Sequence, residues 1–553
     1  MNINTSIEQK YLYSHHPMKL IPYLFFFAIF CSSCKNEQEK NLDFLKDPSL
    51  SIDTKIERYL QSDLLMKKRF SPEEINLLRA FYDDRDYEPI MALTDSTFSE
   101  DGLTLLSIST SSVSFGVPNQ LCFQITDSLH PVEAELKSVI NFSRFVAIIK
   151  DGFFDYTAKK VKPIVYSKME LLQEFLNQPT KNKKENYLVK LGPIKDSNYR
   201  YLAEGILNYT RTHLIDTVNF SSKQIKDIKS KPKKFAIVSL RNKGYMDANS
   251  YSAEAYEAAL LSFKLDNGLD SNLEINDYTL EALAESNLHR LNRAAISLDK
   301  VRQHANYGPR YVRINIPEYQ LYFYNNDSLK AIHRIVVGKR ATQTPELVSE
   351  IRNIEIFPYW RVPPSIIKHE IMPNVYKNPG YLARNNYKLC TFDDTARIDP
   401  TTIDWSTKPT GYNIIQMPSR GNSLGVIKFD FLSNHSVYVH DTPSKGLFGR
   451  KIRSFSHGCM RCQSPVELGK LILLNDQIGR KRRAMIPDTL ESFVEDSKHK
   501  IIPLKRRIPI FVEYQTVTTH HKKITFHLDI YYREDEIIKI LTSYQNKKNL
   551  KQS

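Results

Sequence analysis

Cysteine is scarce in this chain, six in 553 residues, which excludes a small disulfide-stapled scaffold. Glycine (18) and proline (27) are too few for a collagen-like or low-complexity chain. Long apolar runs are missing as well. The stretch Leu20 to Phe30 is only eleven residues, and at about 1.5 Å each these cannot cross a ~30 Å hydrocarbon layer. No basic strand pair studded with aromatics appears, so no nucleic-acid partner is expected. The excess of 77 Lys and Arg over 62 Asp and Glu, +15 in all, is spread along the chain and reads as a solvated basic surface. What remains is ordinary globular usage, with 41% apolar and 25% charged residues. The length suits about three or four domains.

The N-terminus sets the compartment. From Met18 one Lys, the apolar run and then small residues ending at Cys34 give the three-part layout of a secretory signal, with Met18 a candidate start. The tetrad Cys31-Ser32-Ser33-Cys34 resembles a loose lipobox, which implies a lipid on Cys34. Ordinary cleavage near Ser33 without lipid is the alternative. Either way the mature chain is expected to be exported and periplasmic, touching the membrane only through a lipid anchor on the cell envelope.

The expected fold class is multidomain α+β. After a signal over 1–34, residues 35–235 read as a helical scaffold. Within it Ser71-Pro72-Glu73-Glu74 opens a helix carrying Ile75, Leu78 and Phe81. A second helix runs from Ser167 toward Pro179, and the lysine-rich stretch 221–234 reads as a linker. A small helical unit follows at 236–300, with Tyr256, Leu260 and Phe263 before a Gly268 turn and Leu280 and Leu283 after it. From Arg310 the chain alternates, with strands expected at 310–316, 320–324, 329–337, 425–431 and 436–440. This β-rich part spans 308–487, followed by a C-terminal part over 488–535 and a basic tail over 536–553. His333, His369, His435 and the His520-His521 pair have no partner motif and are read as surface.

The chemistry concentrates in 436–462, SVYVHDTPSKGLFGRKIRSFSHGCMRC. Strand alternation puts His440 at a strand end on the same face as Tyr438. Cys459 lies in Ser456-His457-Gly458-Cys459-Met460-Arg461. A histidine able to take the proton of a nearby cysteine makes a thiolate at neutral pH, the minimum for acyl transfer through a thioester. Gly458 lets backbone N–H groups approach an oxyanion, and Arg461 adds positive charge or binds a carboxylate.

The string His440…Ser456-His457-Gly458-Cys459-x-Arg461 resembles the active-site signature of the L,D-transpeptidases of the YkuD superfamily. The surroundings are similar to its large YcbB-type branch: Gln343-Thr344-Pro345, Phe357-Pro358-Tyr359-Trp360, Pro379-Gly380-Tyr381-Leu382 and Leu424-Gly425-x-Ile427 before the strand. That resemblance implies Cys459 as nucleophile and His440 as the base that later protonates the leaving amine. It implies a backbone carbonyl at Asp441 orienting the histidine, Ser456, His457 and Gly458 shaping the oxyanion loop, and Arg461 in support. It implies peptidoglycan stem peptides as partners, 3→3 crosslinks as product, carbapenems as inhibitors, and no cofactor or metal. A capping insertion is expected over about 368–422, and 236–300 resembles a small three-helix peptidoglycan-binding domain. Tyr438 and Trp360 are candidate cleft walls.

Cys462, where the family usually has an aliphatic residue, creates a Cys-x-x-Cys. That leaves a zinc site on His457, Cys459 and Cys462, or a redox pair, as other readings. Transfer to water, making an L,D-carboxypeptidase, or to another amine uses the same cysteine. A non-catalytic wall-binding scaffold with Cys459 tied to Cys462 is the non-enzymatic alternative.

Overall fold

A computed structural model describes residues 42–552, apart from 95–96, 124, 126–128, 164–165, 168, 194–196, 219, 221–223, 225–229, 250, 304–306, 392–395, 477–486 and 521. The signal, Cys31, Cys34 and most of the lysine-rich stretch lie outside the described residues. Among the described residues no helix is long and apolar enough to cross a membrane.

Two compact units are present. The first is helical and takes in the described residues up to Gln303, Val517–Phe526 and the chain from Arg533 onward. Its helix Pro72–Asp83 starts as the residues dictate. The Ser71 hydroxyl accepts from the Glu74 N–H at 3.3 Å, and the Glu74 carboxylate accepts from the Ser71 N–H at 2.8 Å. Glu74 also pairs with Arg144 on the long buried helix Pro131–Asp151. Helix Asn287–Gln303 sends Leu291, Ile296 and Leu298 into the same core as Val139, Phe142 and Phe145. The unit ends with a hairpin, Val517–His520 paired to Lys523–Phe526, and a helix over Arg533–Gln552 where a basic tail was expected. The tail is helical because Ile537, Ile538 and Leu541 recur at helical spacing and bury in that core.

The second unit is built on a mixed sheet. Its strands are β1 (Arg310–Asn315), β2 (Gln320–Asn325), β3 (Ser328–Gly338), β4 (Leu347–Ile356), β9 (Ile427–Phe431), β10 (Val439–His440), β11 (Ser454–Ser456), β12 (Met460–Cys462) and β13 (Lys500–Glu513). Between β4 and β9 a smaller sheet holds β5 (Trp360–Arg361), β6 (Tyr387–Cys390), β7 (Arg397–Ile398) and β8 (Asn413–Gln416). The main order is β11-β3-β12-β10-β9-β4-β13-β1-β2, and pairing of β2 with β3 closes it on itself. Closure leaves the short β11 as the edge and gives one inner face for Val312, Phe323, Ile354, Phe429, Val439 and Met460. Strand β13, drawn from the stretch 488–535, lies inside this sheet between β4 and β1. His333, read as surface, is 3% exposed on β3, where the alternation turns it inward.

The smaller sheet runs β5-β8-β6-β7 and has its own core of Val362, Ile371, Val375, Leu382, Leu389, Trp405 and Ile414. It starts at Trp360, ahead of the insertion boundary near 368 that the family resemblance implies. The Pro-rich segment before it already pairs, Trp360 with Gln416 and Arg361 with Ile415.

Candidate active site

Strand register assembles the site. Glu355 on β4 lies opposite Lys428 on β9, Lys428 opposite His440 on β10, and His440 opposite Arg461 on β12. Partners in register share a face, so these four side chains form one row while Ile354, Phe429, Val439 and Met460 point the other way into the core. The Met460 N–H donates to the Tyr438 carbonyl at 3.0 Å, which extends the β10–β12 register and sets Cys459 beside Tyr438. Histidine, tyrosine, cysteine and arginine thus come to one patch of one face.

Hydrogen bonds order this patch. The Trp360 indole donates to the Tyr438 phenol, and the phenol donates to the Cys459 sulfur. The Tyr438 ring stands edge-on to the His440 imidazole, with centroids 5.6 Å apart. Backbone groups of Asp441 and Leu424 beside the imidazole favour its charged form, though Nδ1 has no hydrogen-bond partner among the described residues. Burial outweighs them, helped by the Arg461 and Lys428 charges, and pushes His440 down to about 3. Burial likewise pushes the Cys459 thiol up, against the lowering effect of Tyr438, Lys428 and Arg461. The resting pair at neutral pH is therefore neutral imidazole and thiol. This corrects the expectation of a resting thiolate, because two groups enclosed together lose more by desolvation than their separated charges regain.

The cysteine loop is held from behind. The Ser456 hydroxyl donates to the Cys459 carbonyl at 2.5 Å and accepts from the Gly458 N–H at 3.2 Å. That N–H is thereby occupied within the loop. The role of Gly458 is conformational: φ is +112°, a region that favours glycine. Thr344, which sequence reasoning quoted but gave no role, donates to the Gly458 carbonyl at 2.8 Å and accepts from the Gly338 N–H at 2.9 Å. Thr344→Val should cost about 1–3 kcal/mol by leaving two buried backbone groups unpaired. A urea midpoint unchanged from wild type would contradict this clamp.

The other candidate residues divide. Asp441 turns its carboxylate from the histidine to the Val426 N–H, at 3.0 Å, and to Lys445. Gly425 must be glycine there, since φ is +63° and a Cβ would stand 2.3 Å from that carboxylate. His457 is exposed and pairs with Glu370 of the smaller sheet's helical segment at 2.6 Å. Arg461 is half-buried, and its Nε has no hydrogen-bond partner among the described residues. Lys428, which belongs to the string that begins Leu424-Gly425-x-Ile427 and has no role assigned from the sequence, stands 3.3 Å from Glu355 and 4.8 Å from the Tyr438 ring centroid.

Cys462 is fully buried among core residues, on the face of β12 that carries Met460, whereas Cys459 lies on the face of Arg461. Both thiols are free. A Cys459–Cys462 bond would have to cross the strand, so the redox pair does not fit this fold. Among the described residues no group of three or more His, Cys, Asp or Glu is placed to hold a metal ion.

Beside the row lies a cleft of about 420 Å³, lined by Glu355, Tyr359, Leu424, Lys428 and Tyr438 and by Trp360, Arg361, Arg397 and Ile415 of the smaller sheet.

The family match falls within this unit. Residues 309–478 match the family model of YkuD, the L,D-transpeptidase catalytic domain. A Haemophilus influenzae protein named "Putative L,D-transpeptidase" is 29% identical over 219 residues, 39% of this chain and 43% of that protein. The chain thus matches less than half of that relative's length. A solved structure of an Ldtfm–avibactam carbamoyl enzyme is 12% identical, with 38% of this chain and 50% of that one covered and a TM-score of 0.19, too low to bear on the fold.

Proposed function

We propose that this chain, whose residues 309–478 match the L,D-transpeptidase catalytic domain, is an exported peptidoglycan L,D-transpeptidase that works through a thioester on Cys459. The observation that carries the reading is the register that brings His440, Tyr438, Cys459 and Arg461 to one face, where Tyr438 lines a cleft.

In this reading a donor tetrapeptide stem enters the cleft and presents the carbonyl of its third residue to the Cys459 sulfur. The thiol is protonated at rest, so attack and proton transfer to the neutral His440 go together. Charge then develops on the carbonyl oxygen. With the Gly458 N–H engaged, the Tyr438 phenol is the donor that stands at the sulfur, and the Trp360 indole behind it holds it there. The imidazolium returns its proton to the nitrogen of the departing terminal D-Ala, leaving a thioester. A side-chain amine on the third residue of a neighbouring stem attacks that thioester, gives up its proton to His440 and frees the thiol, closing a 3→3 crosslink. Tyr438→Phe should lower acylation about 10²-fold with substrate affinity little changed; a single-turnover rate equal to wild type would remove the phenol from this role.

The products distinguish the reactions this cysteine can serve. The chain lacking residues 1–34 is incubated with disaccharide-tetrapeptide, and the products are weighed. A dimer lacking one D-Ala establishes the transpeptidase; monomer hydrolysis alone makes it an L,D-carboxypeptidase; no reaction with reduced protein would leave the wall-binding scaffold. Meropenem should add its mass at Cys459 in the first two cases. We also place a lipid on Cys34 and the mature chain in the periplasm, on the strength of the signal-like segment before it.

A further inference from the structure

The segment His527–Tyr532 folds with the second unit, although the chain on either side of it folds with the first. Within the second unit it closes on the turn after β3. Gly338 ends that strand, and the chain folds back so tightly that a Cβ there would stand 2.1 Å from the Thr342 carbonyl oxygen. This turn grips the cysteine loop at two carbonyls. The Lys339 N–H donates to the Ser456 carbonyl at 2.9 Å, the Thr342 hydroxyl donates to the same oxygen at 3.1 Å, and the Thr344 hydroxyl holds the Gly458 carbonyl. Tyr531, only 4% exposed, holds the turn itself. Its hydroxyl donates to the Gly338 carbonyl at 2.6 Å and accepts from the Thr344 N–H at 3.2 Å, so one oxygen joins the two ends of the turn. Behind it the Tyr531 N–H donates to the Tyr514 phenol at 2.8 Å, and that phenol donates to the Asp529 carboxylate. Beside it the central carbon of the Arg340 guanidinium stands 3.5 Å from the Tyr532 ring centroid.

We propose that Tyr531 is a positioning residue for Cys459: by fixing the turn after β3 it fixes the two carbonyls that set the cysteine loop, and with them the direction of the sulfur. The effect on turnover rests on the transpeptidase reading; the effect on the thiol does not. The gripped carbonyls belong to Ser456 and Gly458, which directly precede the nucleophile, so a turn that drifts carries the sulfur with it. A reacting group misplaced by about 1 Å loses up to about 10²-fold in rate. Tyr531 acts through Gly338 and Thr344 rather than on the reacting atoms, so it governs the chemical step and leaves substrate affinity to the cleft. Without its hydroxyl the Gly338 carbonyl and the Thr344 N–H lose that partner in a buried site.

The test reads the thiol and the turnover separately, on the full chain. Tyr531→Phe keeps the ring and removes the two hydrogen bonds of its hydroxyl. It should lower kcat for crosslinked dimer about tenfold with KM little changed. It should also speed alkylation of Cys459 by iodoacetamide at neutral pH about fivefold, because a loosened loop opens the enclosed thiol to solvent. Tyr82→Phe is the comparison: that phenol is buried in the helical unit and donates to Glu135 at 2.9 Å, so its loss costs stability without touching the turn. It should leave both rates within about twofold of wild type. Wild-type rates in Tyr531→Phe, or equal shifts in Tyr82→Phe, overturn the proposal. If Tyr531→Phe does not fold, Tyr514→Phe, which keeps the Tyr531 hydroxyl and removes the support behind it, should move both rates the same way by a smaller factor; no change there overturns the proposal. Faster alkylation in Tyr531→Phe, with no thioester or dimer from the wild-type protein, leaves the positioning role standing and refutes the transpeptidase. Dimer from the wild-type protein, with Tyr531→Phe unaltered in both readings, does the reverse.

Discussion

Cys459→Ala should lower formation of crosslinked dimer at least about 10³-fold, to whatever the cleft achieves by binding alone. Among the described residues on this face the thiol is the strongest nucleophile, and its neighbours do not replace it: Lys428 is held in an ion pair with Glu355, His440 is needed as the base, and Tyr438 and Arg461 are poor nucleophiles. The substitution removes one partly exposed atom from a loop whose hydrogen bonds are made by Ser456, Gly458 and Thr344. Thermal unfolding should therefore shift little, and a variant folded as wild type but inactive is the expected pair of results. Dimer formation within tenfold of wild type would move the nucleophile elsewhere.

His440→Gln should be nearly as damaging to turnover, and it carries a pH signature that distinguishes a base from a packing residue. The folded imidazole sits near 3, below its ordinary 6.5. Between those values the unfolded chain binds a proton that the folded chain refuses, so wild-type stability is full above about 6.5 and falls as pH drops toward 3. The loss, at most a few kcal/mol over that window, should be missing from the glutamine variant. The same arrangement makes Cys459 a slow target for iodoacetamide at neutral pH, with a rate that climbs as pH rises toward and past the ordinary thiol range, because burial raises its pKa. Fast alkylation, flat from pH 5 to 8, would mean a thiolate–imidazolium pair and would contradict the neutral resting state.

Much of the site was legible in residues 436–462, because strand alternation is local: Tyr438 and His440 must share a face, and so must Cys459 and Arg461. The pairing of β10 with β12, which brings those two faces together, is not local and left no trace beyond the family resemblance. The direction of the His440 and Cys459 shifts was missed for the same reason, since desolvation depends on what closes over a residue. Thr344 reaches Gly458 across 114 positions, and no spacing rule connects them. The Cys-x-x-Cys kept a redox alternative open because a three-residue step in a strand reverses the side chain, and only the assignment of Met460–Cys462 to a strand shows that. The fold was read best where elements pair with near neighbours, as in β1, β2 and β3. It was read least well for β13, which joins the sheet from 185 residues beyond the end of β1 (500 − 315).

The reaction proposed for this chain runs through a covalent acyl group on one sulfur. Wild-type protein mixed with disaccharide-tetrapeptide, quenched in acid within the first turnover and digested for mass spectrometry, should show the peptide containing Cys459 heavier by the donor stem less its terminal D-Ala. The added mass should leave on treatment with neutral hydroxylamine, as a thioester does. Dimer accumulating in the same sample with Cys459 unmodified at every time, or the acyl mass on any other residue, would contradict the account.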